Sequence, residues 1–235
     1  MNVKTLISLA LGLIFVLALP SMAFGAEEST TVGSVFSSAG TIGWIIVALS
    51  VVMFALSIDN FVNIRREKLA PPDLIDEVEA LFEAGDYQEA IELCEAEPNF
   101  FTNCVAAGLP KLNASFEAME KSIEEMVEEE ALKLHTRIGW LSFISATAPM
   151  MGLLGTVSGM ISAFNTIAAT QGQASPADLS TGISGALVTT MFGLIVALPA
   201  LFFYTVFRNK VVRCTIEIGA VVEDLFERFR PQKAA

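Results

Sequence analysis

The chain has 235 residues, 53% of them hydrophobic and only 17% charged, with a formal net charge of −12. So small a charged fraction excludes an ordinary soluble globule, in which charged residues approach a quarter of the chain. The acidity is local, with 18 acidic against 7 basic residues between Arg65 and Arg137; this reads as a membrane protein with one acidic soluble insert and no basic stripe for nucleic acid.

Residues 1–25 read as a secretory signal peptide. Lys4 supplies the positive start, Leu6 to Leu19 the apolar stretch, Pro20 its end, and Ala23-Phe24-Gly25 a small-x-small cleavage site. An uncleaved first membrane helix is the alternative; the apolar stretch is short for a span, which favours cleavage. Residues 26–41 form a polar external tail. Residues 42–64 form the first mature transmembrane helix, uncharged from Ile45 to Ile58, with Asp59 and Asn60 in its last turns. Arg65, Arg66 and Lys68 follow, and Pro71-Pro72 breaks the helix.

Residues 65–138 form a helical insert. Leu74, Ile75, Val78, Leu81 and Phe82 recur at helical spacing, Gly85-Asp86 makes a turn, and Tyr87, Ala90, Ile91 and Cys94 open a second amphipathic helix that Pro98 ends. A third helix starts near Asn113 and runs without Pro or Gly from Ser115 to Ile138, into the next span. Its run from Glu124 to Glu130 is read as a solvated helix face.

Residues 139–169 form the second transmembrane helix and 170–180 a short external loop with Pro176 and Asp178. Residues 181–207 form the third, and 208–235 a C-terminal segment with an amphipathic helix over about 211–229. Arg65, Arg66, Lys68, Lys133, Arg137, Arg208, Lys210 and Arg213 flank the spans on one side, while segments 26–41 and 170–180 contain no Lys or Arg. The positive-inside rule then places the mature N-terminus outside and the insert and C-terminus in the cytoplasm. Cys94, Cys104 and Cys214 fall on the cytoplasmic side, out of any CxxC pair, and are expected to be reduced thiols. The sequence thus predicts an all-α membrane protein whose long helices extend into the cytoplasm.

In the second span Ala148, Gly152, Gly155, Gly159 and Ala163 are spaced 4, 3, 4 and 4, on one helix face. The third span repeats the device with Gly182, Ala186, Thr190, Gly193 and Ala197. Small residues at this spacing let helix backbones approach in lipid, where hydrophobic drive between helices is weak. Thr147, Thr189 and Thr190 sit on or beside these faces. Pro149 and Pro199 each withdraw a backbone donor within a span and free a carbonyl that needs protein, water or an ion as partner. Hydroxyls near such carbonyls could line a hydrated path; back-bonding to the preceding turn is the simpler reading of any one threonine.

No Asp, Glu, Lys, Arg or His occurs between Gly139 and Ala177 or between Leu179 and Phe207. A pump or proton relay needs an ionisable group within the membrane, so if ions cross here another chain supplies it. His135 is the only histidine and cannot form a metal cluster. No Ser/His, Cys/His or HExxH arrangement and no phosphate-cradling glycine loop is present, so neither enzymatic activity nor a cofactor is expected.

The run from Ala146-Thr147-Ala148-Pro149 through Leu153-Leu154-Gly155-Thr156-Val157-Ser158-Gly159-Met160 resembles the ExbB/TolQ/MotA proton-channel family. So does Gly182-Ile183-Ser184 through Thr189-Thr190, Gly193-Leu194 and Ala197-Leu198-Pro199-Ala200. The likeness covers about residues 42–229 and fits the three-span ExbB/TolQ branch. It implies a homopentamer in the inner membrane around two copies of a single-span ExbD/TolR-like partner, whose membrane Asp carries the proton. It also implies that Thr147 and Thr190 face the pore. The role implied is coupling of ion flow to envelope transport such as protein or nutrient import. Two departures bear on it. Gly185 stands where a Glu is common, which favours the alternative of a non-conducting scaffold. Thr189-Thr190 stands where ExbB has Ala-Thr and resembles sodium-driven stators, so sodium is the alternative ion.

Overall fold

The computed structural model describes residues 40–112 and 114–230. The leader at 1–25 and nearly all of the tail at 26–41 lie outside the described residues. Seven α-helices are described: α1 (Gly40–Asn63), α2 (Arg66–Leu69), α3 (Pro72–Ala84), α4 (Tyr87–Ala96), α5 (Phe100–Gly108), α6 (Phe116–Ala169) and α7 (Pro176–Glu227). A 3₁₀ turn at Leu109–Lys111 follows α5. No strand occurs among the described residues. Three helices, α1, α6 and α7, are long and apolar enough to cross a membrane. The packing forms two compact units, one of residues up to Asp59 with Gly139–Thr205, the other of Asn60–Ile138 with residues from Val206 on.

Hydropathy marks where a chain leaves lipid, not where a helix ends. The sequence reading separates the third span at residue 207 from a final helix over about 211–229, whereas α7 is one 52-residue helix. Arg208, Lys210 and Arg213 change its surroundings without interrupting its backbone bonds, since straight-chain cations are good helix formers. It starts inside the anticipated loop because Pro176 suits a first helical turn, where its missing N–H costs nothing. Pro149 and Pro199 lie inside α6 and α7, which continue through them.

α1 buries one side only. Gly43, Ile46, Ser50, Met53, Ser57, Asn60 and Ile64 are buried, spaced alternately three and four residues apart. This is a heptad seam, and three of its seven positions are polar. Ser57 Oγ donates to the Met53 carbonyl at 2.8 Å. The Asn60 side chain is fully buried and neither of its amide atoms has a protein hydrogen-bond partner.

The second unit builds a core from short helices. Pro72 opens α3, and Gly85, at φ +81°, closes it in the left-handed conformation that glycine adopts freely. α3 buries Leu74, Val78 and Phe82, and α4 buries Ala90 and Cys94. The Phe82 ring meets Tyr87 at 5.8 Å and Phe226 at 5.3 Å, both edge to face. α5 has little polar side for spacing to reveal: Phe100, Phe101, Thr102, Cys104, Val105 and Gly108 are buried, and Asn103, Ala106 and Ala107 are partly buried. Its start is written in a capping box, with the Asn99 side chain accepting from Thr102 N–H and the Thr102 hydroxyl from Asn99 N–H. A Cβ on Gly108 would lie 2.8 Å from Ile123 and 2.9 Å from Phe226, so only glycine permits this approach. Asn103 donates to Glu130 at 2.9 Å, and Lys133 pairs with Glu130 at 2.8 Å and Glu129 at 2.9 Å. The run from Glu124 to Glu130 is thus mostly a solvated face, with Glu130 turned inward.

Candidate functional site

The small-residue faces of α6 and α7 meet each other in antiparallel register. A Cβ on Gly193 would lie 2.6 Å from the Ala148 carbonyl oxygen, and one on Gly152 would lie 2.9 Å from Thr190 Cα. On Gly155 it would collide with the Thr189 side chain, and on Gly159 it would sit 2.5 Å from the Ala186 Cβ. Gly182 faces Ala163, with 3.6 Å to its Cβ. The first four approaches are shorter than real Cβ contacts, so a larger residue at Gly193, Gly152, Gly155 or Gly159 would force the helices or side chains to shift, whereas the contact at Gly182 is an ordinary one. Ala148, Ala186 and Ala197 are buried in the same unit.

This contact fixes the threonines. Thr190 Oγ1 donates to the Gly152 carbonyl of the opposite helix at 3.0 Å. Thr189 Oγ1 donates to Ala186 O at 2.7 Å and reaches Gly152 O at 3.4 Å. Thr189 is 2% exposed, enclosed between the helices, while Thr190 is half-buried. Thr147 Oγ1 donates to Phe143 O of its own helix at 2.7 Å. Among the described residues no hydrogen bond joins it to Thr189 or Thr190. The structure therefore brings Thr189 and Thr190 onto one carbonyl and keeps Thr147 in a separate bond.

A carbonyl can only accept. Each of the three hydroxyls has therefore committed its hydrogen to the backbone and has only lone pairs left to offer. Such a hydroxyl can accept from a neutral carboxylic acid or ligate a hard cation, but it cannot donate to a carboxylate. The segments of α6 and α7 that carry the threonines hold no acidic or basic side chain, so the site has acceptors and no charge of its own. Gly185, beside Ala186, is buried.

Spacing alone misses two groups. Thr189 lies off the stripe read from the sequence, yet it is the residue that Gly155 accommodates. The second is the polar part of the α1 seam, Ser50, Ser57 and Asn60, signalled by their spacing of seven and three in a mostly apolar helix. Among the described residues no three His, Cys, Asp or Glu side chains are grouped to hold a metal ion. Burial raises the Cys94 thiol to about 11; burial, with Glu130 adding and Lys133 opposing, raises Cys104 to about 12. Both are thiols rather than thiolates at neutral pH.

Residues 95–219, just over half of the chain, match the model of the MotA/TolQ/ExbB proton channel family. The ExbB biopolymer transport protein of Pseudomonas putida is 31% identical over 144 residues, 57% of this chain and 44% of that protein. The Tol-Pal system protein TolQ of Pseudomonas aeruginosa is 34% identical over 145 residues, 62% of this chain and 57% of that one. The chain thus spans about half the length of these curated relatives. Among solved structures, one of C. jejuni MotAB contains a similar chain: TM-score 0.57, 16% identity, 100% of this chain and 98% of that chain covered. At that identity the likeness is one of fold.

Proposed function

Because this chain belongs to the MotA/TolQ/ExbB proton channel family, we propose that it is the multi-pass inner-membrane scaffold of an ExbB/TolQ-type energy transducer. In this reading five copies surround a single-span ExbD/TolR-like partner, with mature N-termini periplasmic and C-termini cytoplasmic. Ion flow is coupled to work on envelope transport, such as protein or nutrient import. The observation that carries the proposal is the commitment of the Thr190 hydroxyl hydrogen to the Gly152 carbonyl between helix segments without charged side chains.

The coupling follows from the polarity of that hydroxyl. The partner's membrane Asp can dock against Thr190 or against Thr147 only while it is protonated, because either hydroxyl can then accept its single hydrogen. Losing the proton removes the only donor and leaves two sets of lone pairs facing each other, so the partner leaves that position. Thr189 acts as the clamp that holds α7 at the distance where Thr190 reaches Gly152. One charge moving through 100 mV releases about 2.3 kcal/mol, so a mechanical cycle needs several ions. Lone pairs from Thr147, Thr189 and Thr190 also suit a hard cation, which keeps sodium as the alternative ion.

A non-conducting envelope scaffold is the second reading. It is favoured by Gly185 in place of the family's common Glu and by the internal satisfaction of all three hydroxyls. Ion flux into proteoliposomes carrying the chain with its candidate partner separates the two. Flux that needs both Thr190 and the partner's Asp supports the transducer, and comparing proton with sodium gradients identifies the ion. A well-formed complex that passes neither ion rejects it.

A further inference from the structure

A cleft of about 400 Å³ runs between the start of α6 and the end of α7, inside the second unit. Its floor is apolar, formed by Met119, Ile123, Val127 and Phe226. Gly219 leaves the floor open, since a Cβ there would meet only Val127, at 4.0 Å. Glu117, Glu120, Glu124 and Glu223 stand around the rim, exposed to solvent, and none of them forms a salt bridge among the described residues. The two basic residues of the lining are already engaged: Lys121 with Glu125 at 3.7 Å, and Arg230 with Glu227 at 3.1 Å. The rim therefore carries four carboxylates outside any salt bridge above an apolar floor, three at helical spacing on α6 and Glu223 on α7.

The protein itself demonstrates what this cleft holds. The guanidinium of Arg230 lies 5.8 Å from the centre of the Phe116 ring while it pairs with Glu227. One cation is thus seated at the end of the cleft by an aromatic face and a carboxylate together. The remaining rim repeats the carboxylates without the cations.

We propose that the cleft docks a short basic segment of a partner protein, with Lys or Arg on either side of one apolar side chain. The apolar side chain enters above Gly219, beside Val127. The flanking cations take Glu120 and Glu124 on one wall and Glu223 on the other. Charge complementarity selects the occupant: a second copy of this strongly acidic region would add carboxylates to carboxylates, and a neutral apolar helix would leave the rim unanswered. The inference is independent of ion conduction.

The test uses the full-length protein in nanodiscs and a fluorescein-labelled twelve-residue peptide of repeated Lys-Lys-Leu, followed by anisotropy. Binding is expected to be at least tenfold tighter than that of a peptide with every Leu replaced by Ser. It should weaken at least tenfold in the triple variant Glu120→Gln, Glu124→Gln, Glu223→Gln. Gly219→Leu should also weaken it, with the charge unchanged and with helicity and particle size as the check on folding. Equal binding of the Leu and Ser peptides would reduce the cleft to unspecific acidity and overturn the proposal. So would a change of oligomeric size in the triple variant without loss of peptide binding, which would assign the face to a second copy. Tenfold tighter binding after removal of residues 231–235 would make the chain's own terminus the occupant and overturn it as well.

Discussion

Thr190 on α7 gives its hydroxyl hydrogen to the carbonyl of Gly152 on α6, 3.0 Å away. The bond ties the third apolar helix to the backbone of the second, and it fixes which half of the hydroxyl remains available. Removing it should separate function from assembly. Thr190→Val keeps the shape and deletes the oxygen. Hydrogen bonds between membrane helices contribute only about 0.6 kcal/mol on average, so the complex should form with an unchanged thermal midpoint to within a few degrees. Partner-dependent flux should fall at least tenfold. Thr190→Ser restores the oxygen and should restore most of the flux. Full flux in Thr190→Val would remove Thr190 from the path.

The glycines of the contact differ in what they tolerate. Gly193→Ala places a methyl against the Ala148 carbonyl, and overpacking of this kind costs about 1–3 kcal/mol. Gly139→Ala has nothing within 4 Å and should stabilise by about 0.5–1 kcal/mol through helix propensity. Unfolding in a denaturing detergent titration, followed by circular dichroism, should shift in opposite directions for the two variants.

The buried thiols predict an alkaline limit. Cys94 and Cys104 are raised from 9.0 to about 11 and about 12 in the folded chain. Above pH 9 the unfolded chain releases these protons while the folded chain keeps them. The unfolded state then binds fewer protons, and stability falls as pH rises. Below pH 9 both states are protonated and the effect vanishes. Denaturant midpoints measured from pH 8 to 10.5 should decline above pH 9, less steeply in the variant with both cysteines replaced by Ala. Equal slopes would rule the thiols out as the cause.

The capping box of α5 joins a partly buried Asn99 to a fully buried Thr102. Asn99→Ala leaves the Thr102 N–H without its acceptor, and loss of such a cap costs about 0.5–2 kcal/mol. Because most of α5 is buried, the loss should appear as faster hydrogen exchange across Phe100–Gly108, with little change in α6 beyond Gly139. Unchanged exchange would show that packing alone holds the helix.

How much of this was legible follows from what each feature leaves in the sequence. The facing stripes of α6 and α7 were readable because close backbone contact demands small residues at helical spacing, and few other causes produce that pattern twice. Thr189 was readable only as a neighbour of the stripe; its place inside the contact, against Gly155, was not, since two crossed helices drift across each other's faces and a fixed stripe cannot follow the drift. α3 and α4 were readable from their one-sided burial. α5 escaped because its partly exposed face carries only Asn103, Ala106 and Ala107, too little polarity to show a period, and its cap used Thr where Glu or Gln is the familiar partner. The length of α7 escaped because a charged residue changes the solvent around a helix without ending it. The cleft at Gly219 depends on residues about a hundred positions apart, and no local pattern encodes such a meeting.

The antiparallel contact also decides how the gene can repair its own damage. At Gly159 the obstacle to a larger residue is double, the methyl group of Ala186 at 2.5 Å and the Gly182 carbonyl oxygen at 2.9 Å, and a second mutation can remove only the methyl. At Gly155 it is the Thr189 side chain, which can likewise be trimmed. At Gly193 and Gly152 the nearest obstacles are the carbonyl of Ala148 and the backbone of Thr190, and no codon change deletes a main-chain atom. Selections for restored function should therefore yield local suppressors at Gly155 and only true revertants at Gly159, Gly193 and Gly152.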